Sequence, residues 1–233
     1  MPNFEILKAK DPSDKIFIDK SPLFNIPFKI AIVGKSQISL GKSTIVMNLL
    51  LRKKFYRDNF KGEDIFFISP NKLDKKLKIV MEELDVPKSN FMDCDEAMLE
   101  ELYEYLEELF LDGETQPKLL VFDDCAYDGS LKNTQSGIIA KIVMNGRHAN
   151  ISSIFTTQKY SLIGTPIRTN LTGAMIGNLN NKELELLEAD MNFMENGKKD
   201  FFKMMRRYTK GRDFVVFNFT NKDLYLDKNF NPI

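Results

Sequence analysis

An apolar run from Phe28 to Val33 ends in Gly34, a short polar stretch follows, and Leu40-Gly41-Lys42-Ser43-Thr44 then opens the apolar run Ile45 to Leu51. A buried strand, an anion-gripping loop and a helix start in succession constrain the fold more than any other feature of the chain. Successive backbone N–H groups in such a loop make a concave anion site at a helix N-terminus, where the macrodipole also favours negative charge. A nucleoside triphosphate is the ligand this pattern accepts. Lys42 is expected to reach the β and γ phosphates, and the Ser43 hydroxyl to ligate Mg²⁺.

The loop is irregular. The common spacing G-x-x-x-x-G-K-[ST] puts its first glycine at Ser36, and the available glycine, Gly34, lies two residues earlier. Either Ser36 fills that role or the loop carries a two-residue insertion. Phosphate contacts are expected from Gly34, Ser36, Ser39, Leu40, Gly41, Lys42, Ser43 and Thr44. Ile38 and Leu40 cannot take positive φ as cheaply as glycine. The bland alternative is a chance Gly-Lys-Ser between a strand and a helix.

With 233 residues the chain can bury one sizeable core, which suits a single three-layer α/β domain. Lys+Arg and Asp+Glu are both 33, so bulk charge argues neither for nor against nucleic acid. No basic flank precedes an apolar core at the N-terminus, and no apolar run approaches bilayer length, so a soluble intracellular protein is expected. Cys94 and Cys125 are too few for a disulfide framework or zinc cluster and read as reduced thiols. His148 is the only histidine, which excludes multi-histidine metal sites.

Residues 1–26 carry Pro2, Pro12 and Pro22 and read as an arm laid on the domain or reaching a neighbour; 27–220 form the P-loop domain and 221–233 a tail. From Pro27 apolar runs alternate with helical stretches, the signature of a mostly parallel sheet with helices on both faces. Strands are predicted at Phe28–Val33, Asp64–Ser69, Lys118–Asp123, Ile151–Thr157, Gly173–Ile176 and Asp213–Phe219. Asp95 to Phe110 is predicted as an amphipathic helix, with Leu99, Leu102, Leu106 and Leu109 inward and a glutamate face toward solvent.

Leu119 to Phe122 runs into Asp123-Asp124, so a buried strand delivers two acids to the ligand edge of the sheet. In a P-loop enzyme the first, Asp123, holds Mg²⁺ and the second, Asp124, polarises the attacking water. A strand ending in a polar turn is the bland reading. Farther on, Gly146-Arg147-His148 precedes the strand Ile151–Thr157, which ends in Gln158. Gln158 then stands beside the two acids, placed to sense the γ-phosphate or orient water. Arg147, at the other end of that strand, is away from its own nucleotide. It faces a neighbour's nucleotide if subunits pack side by side, as an arginine finger in trans; otherwise it is a surface arginine.

These segments, with Ile167-Arg168-Thr169-Asn170 before a further strand, make the chain from about Pro27 to Phe219 resemble the poxvirus-type genome-packaging ATPases of the HerA/FtsK superfamily. The resemblance implies a RecA-like P-loop fold with an additional strand, Mg-ATP as fuel, a pentameric or hexameric homo-oligomeric ring and double-stranded DNA moved into a preformed capsid. It further implies capsid portal or vertex proteins as partners, no membrane span, and residence in the host-cell cytoplasm or virus factory with association with the virion.

Lys198 to Arg212 concentrates positive charge around a single acid, Asp200, in an otherwise neutral chain. Such a patch binds phosphates with little sequence preference, or is simply a solvated helix face, with Phe201 and Phe202 as core residues. Asn71-Lys72-Leu73-Asp74 matches the guanine-reading N-K-x-D string. It precedes the Asp123 strand, and Asp124 is not followed by the spacing of a GTPase switch, so the match reads as coincidence and adenine is favoured. Two other functions stay open: a small-molecule or nucleoside kinase, and a slow nucleotide-gated capsid-assembly switch.

Overall fold

The computed structural model describes residues 17–35, 40–71, 74–125, 137–221 and 224–233. Strands β1 (Lys29–Val33), β2 (Ile65–Ile68), β3 (Phe91–Met92), β4 (Lys118–Asp123), β5 (Ile151–Thr157), β6 (Gly173–Ile176), β7 (Val215–Asn218) and β8 (Tyr225–Leu226) form one sheet. Its order is β3-β2-β4-β5-β1-β6-β7-β8, parallel from β3 to β6 and antiparallel at β7 and β8. The helices are α1 (Lys42–Leu51), α2 (Lys75–Glu83), α3 (Glu96–Leu111), α4 (Ile138–Asn145), α5 (Thr165–Arg168), α6 (Asn181–Met191) and α7 (Lys198–Tyr208). The central strands are buried along their whole length, as parallel strands covered on both faces must be.

Side chains still alternate by face. Ala31, Val33, Leu120 and Phe122 pack toward α3, α4, α6 and α7. Ile30, Ile32, Leu119 and Val121 pack toward α1, α2 and the segment Leu23–Phe28. One sheet therefore carries two apolar layers, as the α/β expectation required. Strands β4, β5 and β6 have the predicted bounds, and β1, β2 and β7 are one or two residues shorter at their ends. The helix expected from Asp95 starts at Glu96, because the Asp95 carboxylate accepts the Met98 N–H as an N-cap, and it continues to Leu111. The edge strands β3 and β8 have two residues each, too few to show a period.

Residues 17–26 fold back on themselves and pack at the Gly173 end of β6 and the Asn218 end of β7. Ile18 pairs with Ile26, the Tyr56 hydroxyl donates to the Phe24 carbonyl at 2.8 Å, and the Asn218 amide donates to the Pro22 and Leu23 carbonyls at 3.0 Å. Phe24 and Ile26 are fully buried, and the Phe24 ring lies on the backbone of Gly173. A Cβ at Gly173 would overlap both that ring and the Phe217 carbonyl. Since the carbonyl belongs to a ladder and cannot swing away, Gly173→Ala is expected to cost about 1–3 kcal/mol or more through overpacking. Urea unfolding should show a lower midpoint at an unchanged slope.

Candidate nucleotide and catalytic site

Strand β1 ends under a loop whose seat is set by one side chain. Leu40 is 5% exposed and packs in the α1-side core. A Cβ on Gly34 would approach the Leu40 Cβ to 2.9 Å, and one on Gly177 would lie 3.3 Å from the Leu40 Cδ1. Gly34 is therefore required for close approach, with Leu40 wedged between two glycines. Left-handed backbone falls on Gly41, at φ 64 and ψ 57, which as the N-cap of α1 offers its carbonyl to the Thr44 N–H at 2.8 Å and the Ile45 N–H at 3.1 Å. Ser36 and Ser39 lie outside the described residues, and with them the choice between a serine in the first-glycine role and an insertion.

Lys42 opens α1 and is 5% exposed. Its ammonium lies 3.5 Å from the Gly34 carbonyl and 3.7 Å from the Asp124 carboxylate, at the anion end of the helix. Ser43 donates its hydroxyl to the Asp74 Oδ2 at 2.8 Å. Thr44 accepts from the Lys76 ammonium at 2.6 Å.

The two acids come from the tip of β4. Asp123 is in register with Thr156 of β5, whose hydroxyl donates to the Asp123 Oδ1 at 2.6 Å. By alternation Asp123 faces the α1 side. An extended Asp124 would turn its side chain to the other face, but the residue adopts φ 51, left-handed for an L-residue, with its N–H donating to the Thr156 carbonyl and hydroxyl at 3.2 Å each. That turn, a small strain which aspartate tolerates, leaves the Asp124 carboxylate half-exposed and beside Lys42. Burial pushes the Asp123 carboxyl above its usual range. The Thr156 hydrogen bond and Lys42 oppose this, and the charges of Asp124 and Asp74 add to it.

Gln158 follows the last residue of β5 and is exposed at the same edge. Register ties this edge together: Val33 aligns with Thr157 of β5 and Ile176 of β6, and Gly34 donates its N–H to the Thr157 carbonyl at 3.1 Å. Lys42, Ser43, Asp123, Asp124 and Gln158 are thus brought to one edge. Arg147 is not among them. It is exposed at the start of β5, next to His148, and near Lys29, whose amine is held below its usual value by burial and then by the Arg147 charge. Seven residues of strand separate it from Gln158, about 20 Å at 3.3 Å per residue. Arg168 is committed within the chain, to Asp190 at 2.8 Å, to the Ile163 carbonyl at 2.9 Å and to the Tyr160 ring.

Sequence reasoning missed Asp74. The string Asn71 to Asp74 resembles a base-reading motif, yet β2 is the neighbour of β4, so an acid just past the β2 tip arrives at the same edge as Asp123. Adjacency in the sheet, which a linear reading does not supply, was the missing signal. Among the described residues no group of three or more histidine, cysteine or acidic side chains encloses a cation by itself, and no helix is long and apolar enough to cross a membrane.

An extra strand between the phosphate-loop strand and the acid-bearing strand, with a buried lysine facing a two-acid tip, defines a P-loop nucleoside triphosphatase. The genome-packaging NTPase B204 from Sulfolobus turreted icosahedral virus 2, solved with AMPPCP, superposes with a TM-score of 0.58 at 16% identity over 89% of this chain and 98% of that one. Its sulfate complex gives 0.60 at 14% identity, over 90% and 98%. The cytoplasmic domain of EssC gives 0.52 at 15% identity, over 88% of this chain and 44% of that one. At these identities the likeness speaks to fold. No curated protein matches the chain. The family model described as Poxvirus A32 protein matches residues 15–218, and the chain belongs to that family. It is a viral genome-packaging ATPase.

The raised pKa of Asp123 has a thermodynamic consequence. An acid whose folded pKa lies above its unfolded value contributes nothing while both states are protonated and destabilises increasingly as pH rises from the unfolded value of about 3.8 through the folded one. Without nucleotide, Asp123→Asn is therefore expected to melt above the parent at pH 7, by about 2–4 °C per kcal/mol recovered. The advantage should vanish as pH falls toward the ordinary carboxylate range, as read by calorimetry across a pH series.

Proposed function

We propose that the chain hydrolyses Mg-ATP at the C-terminal edge of its sheet and couples the cycle to moving double-stranded DNA into a preformed capsid, as one subunit of a pentameric or hexameric ring. The observation that carries this reading is the convergence of Lys42, Ser43, Asp123 and Asp124 at the edge where β5 separates β1 from β4, in a chain of the Poxvirus A32 family. Lys42 would bind the β and γ phosphates, with backbone N–H groups from Gly34 to Thr44 around them. Asp124 would take a proton from the attacking water, and Gln158 would orient that water against the γ-phosphate.

The donor set fits a hard cation. Ser43 and Asp123 offer oxygen ligands only, and the buried Asp123 carboxyl is crowded by two like charges that a cation would offset. Mg²⁺ bound there supplies charge neutralisation of the phosphates, and it is commonly held by one or two protein oxygens plus phosphates and water.

Two basic features supply the remaining roles. Helix α7 buries Phe201, Met204 and Met205 and exposes Lys199, Lys203, Arg206 and Arg207, with Lys198 and Arg206 lying over the Phe202 ring. It leads into β7, whose Val215 aligns with Ile176, so its basic end lies on the nucleotide edge, where DNA backbone contact would feel the ATP cycle. Arg147, at the far edge, would act on the ATP of an adjoining subunit. Capsid portal or vertex proteins would hold the ring.

The test is ATP hydrolysis with and without double-stranded DNA. The parent should be stimulated by DNA, and Lys42→Ala should lose phosphate binding and turnover together. Replacing Lys203, Arg206 and Arg207 with glutamine should flatten the salt dependence of DNA binding by about 0.9 per lost phosphate contact. Turnover indifferent to DNA would favour the switch reading, and phosphoryl transfer to a small acceptor would favour the kinase.

The trans assignment has its own test. Arg147→Ala should bind ATP and assemble yet lose about a thousandfold in rate, and Asp124→Asn should bind ATP and lose about a hundredfold or more. Mixed rings contain interfaces where an intact Asp124 meets an intact Arg147, so activity should reappear in the mixture. A co-assembled mixture that stays inactive overturns the assignment.

A further inference from the structure

Ser43 has one O–H to donate and two lone pairs to offer. A cation can use only the lone pairs, so a serine that ligates one must send its proton to an acceptor elsewhere. In this chain that acceptor is Asp74, at 2.8 Å through Oδ2. The other oxygen of Asp74 is already engaged, because Oδ1 accepts the Lys76 N–H at 2.8 Å and the Leu77 N–H at 3.2 Å as the N-cap of α2. With Leu77 fully buried below it, the carboxylate is fixed before any ligand arrives. One turn of α2 holds two consecutive residues of α1, since Lys76 also donates to Thr44 at 2.6 Å. Asp123 meanwhile spends its Oδ1 on Thr156.

We propose that Asp74 is a positioning residue for the ATPase reaction: by accepting the Ser43 proton it turns the Ser43 lone pairs toward the nucleotide's Mg²⁺, leaving Asp123 for the cation itself. The assignment rests on the Mg-ATP reading of the site and deepens it. The two acids divide the work, one setting the orientation of a ligand and the other facing the metal. Partners of this outer kind are worth about 10–100-fold in metal affinity.

Asp74→Asn separates this role from simple capping. Asparagine caps a helix about as well as aspartate, and its single carbonyl can stay on the Lys76 and Leu77 N–H groups. Its amide nitrogen then meets Ser43 as a donor and occupies a lone pair that the cation needs. The measurement is binding of a fluorescent ATP analogue at graded Mg²⁺ and in EDTA, with melting temperature recorded without nucleotide. Asp74→Asn, which also removes a like charge from beside Asp123, is expected to melt no lower than the parent and to bind no more weakly in EDTA, yet to require about 10–100-fold more Mg²⁺. In a Ser43→Ala background the same change should add no further loss, because the group it acts through is gone. Asp74→Ala, which also removes the cap, should additionally melt lower. A parental Mg²⁺ requirement in Asp74→Asn, or an equal loss of affinity with and without Mg²⁺, would overturn the proposal and leave Asp74 as a helix cap. A parent that binds no nucleotide in either condition would overturn the Mg-ATP reading together with it, and that outcome is read from the parental arm alone.

Discussion

The parallel ladders on the two sides of β5 are the constraint on which the site depends. Asp123 is locked against Thr156 on one side, and Val33 against Thr157 on the other. The acid-bearing tip and the root of the phosphate loop are therefore spaced by a strand that neither can slip past, because a one-residue slip would turn every buried side chain to the wrong layer. Lys42 meets Asp124 at 3.7 Å only because α1 leaves β1 at that register. The Leu40 wedge between Gly34 and Gly177 sets the same exit angle from below, borrowing space from β6 as well as β1.

Stability has been conceded at this edge. The charges of Asp74 and Asp124 are gathered beside Asp123, whose own ionisation burial already disfavours, and Asp124 sits in a backbone region that L-residues adopt reluctantly. A chain selected for stability alone would place amides or apolar groups at the β4 tip. The combination makes sense for the proposed Mg-ATP site, where the incoming cation would relieve the repulsion that the free protein tolerates.

Much of this was legible in the sequence, and the divisions have physical causes. Strands buried on both faces read as continuous apolar runs, so β4, β5 and β6 could be bounded from composition. Helix α3 declared itself through its leucine period. The meeting of Lys42 with Asp123 and Asp124 at one sheet edge follows from where the apolar runs of β1 and β4 end. What stayed hidden depends on contact across the sheet. Leu40 looked like an awkward residue in a phosphate loop, and its function as a wedge appears only once Gly177 arrives from β6. Asp74 was camouflaged inside a string that matches another motif, and only the adjacency of β2 to β4 brings it to Ser43.

The placement of charge gives the subunit a direction. Its nucleotide edge carries the carboxylates and the basic end of α7, while the opposite edge carries Arg147, His148 and the buried Lys29. Strand β5 joins the two as a rigid rod, with Gln158 at one end and Arg147 close to the other. A guanidinium about 20 Å from its own phosphates is too far to stabilise charge on them. The same distance matters differently when copies sit side by side, because the rod then spans from one nucleotide to the next. In the proposed ring, movement at Gln158 would be delivered to the neighbouring site without any flexible link.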